Sequence, residues 1–237
     1  AVVELMPYSS GLNRNIVQCL NDFNIPLRLS TTVVETHGKD RLEGVTIAQV
    51  DEHLQPIEST KEYIECDTLM LSVGLIPENE LTKNVGLGID RITNGAAVDE
   101  MRMTDHPGVF ACGNVLHVHD LVDYVTLESQ IAGEGAANYI LGKGSKETVY
   151  VNTTTGNGVR YLVPQRVNIK NENDVKLYFR VGRIFKNAKV VLECDGEIIS
   201  SKKKVKLAPG EMENVVIPAA TLAKMTKDSS IVVRVEE

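Results

Sequence analysis

The chain has 237 residues, of which 43% are apolar, and its net charge is −7. The negative charge and the absence of Trp argue against a nucleic-acid partner, and no apolar run approaches the roughly 20 residues that a membrane span needs. Four dispersed cysteines with no Cys-x-x-Cys pair fit a reducing compartment, so we predict a cytoplasmic protein without a metal site.

The first 66 residues alternate between β and helical patterns. Helical spacing of apolar residues over 12–23 predicts an amphipathic helix, which Pro26 ends. Strands are predicted at residues 1–6, 27–34, 45–50 and 63–66. The order is strand, helix, strand and then a β-meander.

Two later segments each end an apolar strand in a small-residue turn. Residues 67–73 run into Gly74-x-x-Pro77, and Val109-Phe-Ala-Cys runs into Gly113 and Asn114. A long helix is predicted next, over 121–141. Gly113 lets a ligand approach the backbone, and a helix start attracts polar acceptors. The same pattern also fits an ordinary strand–turn–helix connection.

Together, the two segments resemble the flavoprotein pyridine nucleotide-disulfide oxidoreductase superfamily. The Gly-x-x-Pro strand lies in that family where the NAD(P) domain returns the chain to the FAD domain. Residues 104–114 match its second FAD fingerprint. The usual Asp of the fingerprint is Asn114 here, which keeps the hydrogen-bonding shape without the charge.

The resemblance implies a set of cofactor contacts and leaves the catalytic residues unknown. Glu4 matches the acid that binds the ribose of NAD and repels the 2′-phosphate of NADP; the alternative is a surface glutamate closing a strand. Gly74 resembles the glycine beside the nicotinamide nucleotide, although it also fits a simple turn. The implied FAD contacts are Gly113, Asn114, Val125 and Thr126. His117 and His119 are expected to face solvent in a loop, without a catalytic role.

The sequence lacks the Gly-rich dinucleotide loops that such an enzyme needs, and it opens without Met on an apolar run. We therefore expect the C-terminal portion of a longer FAD- and NAD-dependent enzyme. The isolated chain is expected to be inactive and to bind FAD weakly or not at all.

The last third of the chain changes in charge and in pattern. Residues 1–159 hold 10 basic and 22 acidic side chains, whereas the remainder holds 15 and 10. Alternation over 175–181 and in several later short strands predicts a β-sandwich. Lys202–Lys206 is predicted to be a charged, solvated edge strand, with a patch for an acidic partner as the alternative. Linker-like stretches at 142–145 and 152–158 precede this region.

The predicted fold is therefore α/β followed by all-β, with partial Rossmann-like remnants and a small C-terminal β-sandwich. The predicted domains are the back half of an NAD(P)-binding domain (1–75), the end of an FAD-binding domain (76–150) and the sandwich (158–237).

The predicted function is that of a flavin-dependent oxidoreductase fragment, which works with a nicotinamide nucleotide and an unknown electron acceptor. Self-association or a partner subunit is expected because the fragment leaves sheet edges exposed. The alternatives are a non-catalytic binding or scaffold module and, on residues 160–237 alone, a sugar-binding sandwich that lacks an aromatic platform.

Overall fold

The computed structural model describes residues 1–9, 11–143 and 147–237. The chain divides into two compact units, residues 1–74 and residues 75–237. The described secondary structure is mostly β, with few helices. None of the described helices is both long enough and apolar enough to cross a membrane.

The first unit contains two small sheets. One is a parallel pair of two-residue strands, and the other is an antiparallel meander in the order β3-β4-β5. The strands are β1 (Val2–Val3), β2 (Leu27–Arg28), β3 (Thr31–His37), β4 (Gly44–Gln49) and β5 (Glu62–Glu65). A 3-10 turn covers Glu58–Thr60. The central strand β4 buries residues 44–48, which confirms the predicted meander.

Other expectations for this unit are wrong. The helix predicted over 12–23 is α1 (Asn13–Asn15), continued by a π-helix at Ile16–Asn21 that buries no side chain. The apolar run 67–73 forms no strand, and Met70 and Val73 are 88% and 90% exposed. A strand needs a neighbour for its backbone hydrogen bonds, and the described strands of this unit offer none to this run. The predicted Rossmann-like sheet is therefore not confirmed.

The second unit begins with turns and helices. They are α2 (Glu80–Asn84), a 3-10 turn at Gly113–Val115 and α3 (Val122–Ile140). The long predicted helix is confirmed as α3. The strand predicted at Val109–Cys112 appears only as a single bridge, Met103 to Phe110, and a second bridge joins Ile89 to Ala96. Tight turns interrupt this stretch: for example, the Thr104 amide donates to the Val109 carbonyl across the four residues between them.

Close packing explains Gly135, a buried residue of α3. A Cβ built on Gly135 would lie 2.6 Å from the Met101 carbonyl oxygen and 2.9 Å from the Phe110 ring. Gly133, two residues earlier, has open space around it. Gly135 therefore lets the helix lie directly against the loop that contains Met101.

The remaining strands form a β-sandwich, as predicted. One sheet has the order β11-β10-β13-β6-β8 and the other β12-β9-β7. Neighbouring strands are antiparallel except β13 and β6, which are parallel. The elements are β6 (Tyr150–Thr155), β7 (Val159–Val163), β8 (Arg166–Asn168), β9 (Val175–Val181), β10 (Phe185–Cys194), β11 (Glu197–Leu207), β12 (Glu213–Ile217), α4 (Ala219–Leu222) and β13 (Ile231–Glu236).

Strand β9 fits the predicted alternation, and its odd-numbered residues Val175, Leu177, Phe179 and Val181 all enter the sandwich core. The linker predicted at 152–158 is wrong, because residues 152–155 belong to β6. The other predicted linker, 142–145, lies partly outside the described residues.

A second, smaller core lies within the same unit. It joins Ala96, Val98 and Leu116 to Tyr161 and Val163 of β7, all of them buried. Backbone groups of Val98 also exchange hydrogen bonds with Gln165. Residues 75–143 therefore pack against the sandwich inside one compact unit. The domain bounds 76–150 and 158–237 stay a prediction.

Candidate functional site

A tight turn precedes helix α3 and contains two of the predicted cofactor contacts. Gly113 has a φ of +73°, a conformation that suits glycine, and it begins the 3-10 turn. The Asn114 Oδ1 atom accepts the His119 backbone N–H at 3.1 Å, which closes the loop between them. The turn is thus shaped by its own polar groups.

Beneath this turn lies a fully buried carboxylate, that of Glu128 on α3. Its Oε1 atom accepts hydrogen bonds from Arg102 Nε at 3.0 Å and from His117 Nε2 at 2.9 Å. Its Oε2 atom accepts from the Gly113 backbone N–H and from His119 Nε2, both at 2.9 Å. We call Arg102, His117, His119 and Glu128 the buried network. Four donors converge on the single carboxylate of Glu128, and the one from Gly113 links α3 to the turn.

The loop at residues 99–103 directs the Arg102 side chain into the interior. Asp99 Oδ1 accepts the backbone N–H groups of Met101 and Met103 at 3.0 and 2.9 Å, and its Oδ2 accepts the Tyr150 hydroxyl at 3.0 Å. Within this loop Arg102 takes a φ of +69°, which is unusual for a side-chain-bearing residue. Its guanidinium is consequently 1% exposed against Glu128.

Aromatic rings of the sandwich close the network from the other side. The His117 ring lies edge-on to Tyr161 and Tyr178, with centroids 5.9 and 6.3 Å apart. Tyr178 points away from the sandwich core, opposite to its neighbours Leu177 and Phe179. One face of strand β9 therefore packs into the sandwich core, and the other face contacts the buried network.

In the network, the positive charge of one guanidinium balances the negative charge of one carboxylate. Burial opposes ionisation of Glu128, but the hydrogen bonds from His117 and His119 and the charge of Arg102 outweigh it and hold the pKa of Glu128 well below 4.5. Burial lowers the pKa of His117, so its imidazole stays neutral and donates its Nε2 proton to Glu128. Arg102 supplies the compensating positive charge.

The His and Glu atoms of the network also have the composition of a metal site. Among the described residues, ligand atoms of His117, His119 and Glu128 lie within 4.8 Å of one another. Both oxygens of Glu128 already accept two donors each, and one donor is the charged Arg102. A cation between these atoms would meet that guanidinium, so the arrangement favours an ion-pair network. The absence of a metal site stays a prediction.

The six predicted cofactor contacts fall into two groups. Gly113, Asn114, Val125 and Thr126 lie together around the start of α3, where the Val125 side chain is the one that a Cβ built on Gly113 would contact. Glu4 and Gly74 belong to the first unit. Glu4 follows β1, and its Oε1 accepts the Met6 N–H at 3.0 Å. Gly74 has a φ of +95° with open space beside it.

The turn at Gly113 meets some of the requirements of a dinucleotide. Gly113 itself is buried, and a Cβ built on it would touch only Val125, at 3.6 Å. The N-cap residue of α3, Leu121, makes no side-chain cap, and the Tyr124 amide donates to the Leu121 carbonyl, so the amides of Val122 and Asp123 are the candidates for a polar acceptor. The Gly113 N–H, however, is held by Glu128, and the Thr126 hydroxyl donates to the Val122 carbonyl. The fit therefore rests on Asn114 and on the helix start.

The buried network was not predicted from the sequence, and the expectation that His117 and His119 face solvent is wrong. Both imidazoles are 1% exposed. A signal was present in α3, where the buried residues are Glu128, Ala132 and Gly135. A carboxylate at the head of a buried helical stripe needs partners, and the nearby His-x-His pair supplies two of them.

The fold and the site together define a β-rich protein with a glycine turn at the start of a helix. The sequence model of the family described as "Pyridine nucleotide-disulphide oxidoreductase" matches residues 3–137. The chain belongs to this family, as its two motif segments predicted.

Two curated proteins are similar to part of the chain. The "Chlorobenzene dioxygenase, ferredoxin reductase component" of Cupriavidus sp. is 31% identical over 143 residues, which are 57% of this chain and 31% of that protein. The "Hydrogen cyanide synthase subunit HcnB" of Pseudomonas protegens is 30% identical over 94 residues, which are 38% of this chain and 20% of that protein. The chain thus spans less than a third of the length of each of these relatives.

A solved structure, that of a thioredoxin reductase from Gloeobacter violaceus, matches with 15% identity and a TM-score of 0.27. The match covers 62% of this chain and 51% of that one.

Proposed function

We propose that this chain is part of a flavin-dependent oxidoreductase that takes electrons from NADH through FAD and passes them to an acceptor. The observation that carries the proposal is the glycine turn at the uncapped start of α3, held from beneath by Glu128 within the matched family region. A flavin supplies the hydride chemistry when it is bound, and the protein supplies position and electrostatics.

Asn114 and the start of α3 are the proposed flavin contacts of this chain. Asn114 is exposed, and its carboxamide offers hydrogen-bonding groups without a charge. The amides at the start of α3, next to Val125, offer the positive end of the helix dipole. A reduced flavin carries negative charge, so this end of the helix would favour the reduced form.

Glu4 is the proposed ribose ligand of the nicotinamide nucleotide. It follows a strand, which is the position that suits an acid binding the adenosine ribose hydroxyls. Its carboxylate would repel a 2′-phosphate, so NADH is the proposed donor. Gly74, with its positive φ and open surroundings, would let the nucleotide pass close to the backbone.

The proposed acceptor is another protein. The Cupriavidus relative is named as a ferredoxin reductase component and the Pseudomonas relative as a synthase subunit, so both names describe parts of larger systems. By analogy with these two relatives, this enzyme would transfer its electrons to a partner chain.

A second candidate function is a non-catalytic module that keeps the flavoprotein turn without a cofactor. One observation favours it: the Gly113 N–H and the Asn114 Oδ1 atom both make internal hydrogen bonds. In this case the turn serves the stability of the unit, and the native polypeptide binds no flavin.

Replacing Glu4 with Arg should move the nucleotide preference toward NADPH. The substitution removes the repulsion of the 2′-phosphate and adds a positive partner for it, so we expect the ratio of kcat/KM for NADH to that for NADPH to fall by at least about tenfold. The assay uses the native polypeptide that carries this sequence. Glu52→Arg, the same change on an exposed loop residue, is the control. An unchanged ratio in Glu4→Arg would remove Glu4 from the nucleotide site.

A further inference from the structure

A strip of lysines runs along one edge of the sandwich. Strand β11 is the terminal strand of its sheet, and β10 lies next to it. These two strands carry five exposed lysines that form no ion pair with any described residue. They are Lys186, Lys189, Lys202, Lys203 and Lys206, and we call them the lysine edge.

Strand register sets several of these charges directly against each other. Lys186 lies opposite Lys206, and Lys189 lies opposite Lys203. Like charges directly opposite on neighbouring strands are destabilising. The nearby acids offset only part of this charge: Glu213 pairs with Lys204 at 2.7 Å, and Glu236, which lies across from Lys189 on β13, is shared between the charge of that lysine and its ion pair with Arg234.

Protection of an exposed edge explains only part of this pattern. Lysines on a terminal strand discourage the addition of another strand, which accounts for those on β11. Lys189 lies where β10 pairs with β11 on one side and with β13 on the other, so its charge guards no edge, whereas Lys186 lies beyond the residues that pair with β13. The surplus of charge is better explained by a partner that neutralises it.

We propose that the lysine edge binds an acidic segment of a partner protein, which adds to β11 as a further strand. The outer side of β11 has no neighbouring strand among the described residues, so its backbone groups can pair with an extended chain. Acidic side chains at alternate positions would then lie across from Lys202 and Lys206, which share one face of β11. Val205, 83% exposed, and Ile198, 55% exposed, add apolar contacts along the same strand.

The charge of the edge selects among possible occupants. A second copy of β11 would bring lysines against lysines, so a symmetric edge-to-edge dimer is disfavoured. A nucleic acid would satisfy the charges but cannot pair with the strand backbone. An acidic β-strand satisfies both the side chains and the backbone, which is why the proposal commits to a protein.

The test uses a ten-residue peptide that alternates glutamate with valine, fluorescently labelled and titrated with the full chain. We expect saturable binding that weakens several-fold between 0.1 M and 1 M ionic strength, over which the Debye length falls from about 10 Å to about 3 Å. The Lys202→Glu/Lys206→Glu double variant should bind roughly tenfold more weakly because attraction becomes repulsion at two positions on the same face. Lys224→Glu/Lys227→Glu, the same changes on exposed lysines outside both strands, should bind like the wild type.

Two further probes separate strand addition from general attraction. A copy of the peptide N-methylated at two successive central residues should bind at least several-fold more weakly, because neither of its edges can then pair fully with β11. A short DNA duplex of similar charge should bind more weakly than the acidic peptide. Equal binding of the methylated peptide or of the duplex would overturn the proposal, as would equal binding by the β11 double variant. A salt-sensitive dimer of the chain alone that blocks the peptide would assign the edge to a second copy instead.

Discussion

Replacing Glu128 with Gln should lower the free energy of unfolding by about 3–5 kcal/mol, the cost of leaving a buried charge without its partner. Arg102, 1% exposed, would lose the carboxylate that compensates it. Two donors, Arg102 Nε and His117 Nε2, share one oxygen of Glu128. An amide NH2 at that position would face them donor to donor. Urea denaturation of the full chain measures the loss.

Two comparisons isolate the cause of this effect. Glu134→Gln makes the same substitution on an exposed residue of α3 and should change stability by less than about 0.5 kcal/mol. Adding Arg102→Met to Glu128→Gln removes the orphaned charge and should recover part of the loss. A Glu128→Gln variant within about 1 kcal/mol of the wild type would show that the buried network does not hold this unit together.

Glu100 should make the chain less stable as the pH rises from about 4.5 to about 7. Its Oε2 atom accepts the Asn168 N–H at 2.9 Å, but burial raises the pKa of Glu100 from 4.5 to about 7, with a further contribution from the charge of Asp99. The folded chain therefore binds a proton that the unfolded chain releases in this range. This proton stabilises the folded chain fully when the pH is below the pKa of Glu100 in the unfolded chain. The stabilisation is lost as the pH rises through the pKa of Glu100 in the folded chain. The free energy of unfolding changes by about 3 kcal/mol over this range.

The stability difference between Glu100→Gln and the wild type isolates this one group. Gln stays neutral and can still accept the Asn168 N–H, so the variant should gain about 3 kcal/mol on the wild type between pH ~4.5 and pH ~8. Because the other titrating groups are common to both chains, their contributions cancel. Glu134→Gln again controls for the loss of one carboxylate. A difference between Glu100→Gln and the wild type that stays constant with pH would contradict the raised pKa.

The sequence predicted those elements whose local pattern and tertiary contacts agree. Residues 175–181 alternate strictly, and the strand forms because a second sheet covers its apolar face. The meander around β4 and helix α3 were predicted for similar reasons. The run 67–73 has an equally clear β pattern but no partner strand among the described residues, so pattern alone did not determine its structure.

The candidate site likewise contains some features that were predicted from the sequence and others that were not. The turn at Gly113 was visible because glycine and a short polar residue interrupt an apolar run. Arg102 was not visible, because its place beside Glu128 depends on a loop that Asp99 folds through two backbone hydrogen bonds. The burial of His117 depends equally on Tyr161 and Tyr178, more than 40 residues away in the sequence. Such long-range contacts leave little local pattern.

The absorbance of the native polypeptide that carries this sequence, purified and titrated with NADH in the absence of oxygen, tests the proposed function most directly. The account predicts a bound flavin with a band near about 450 nm that NADH bleaches, since the cofactors carry the hydride chemistry. A polypeptide without flavin, or a flavin band that NADH leaves unchanged, would contradict it.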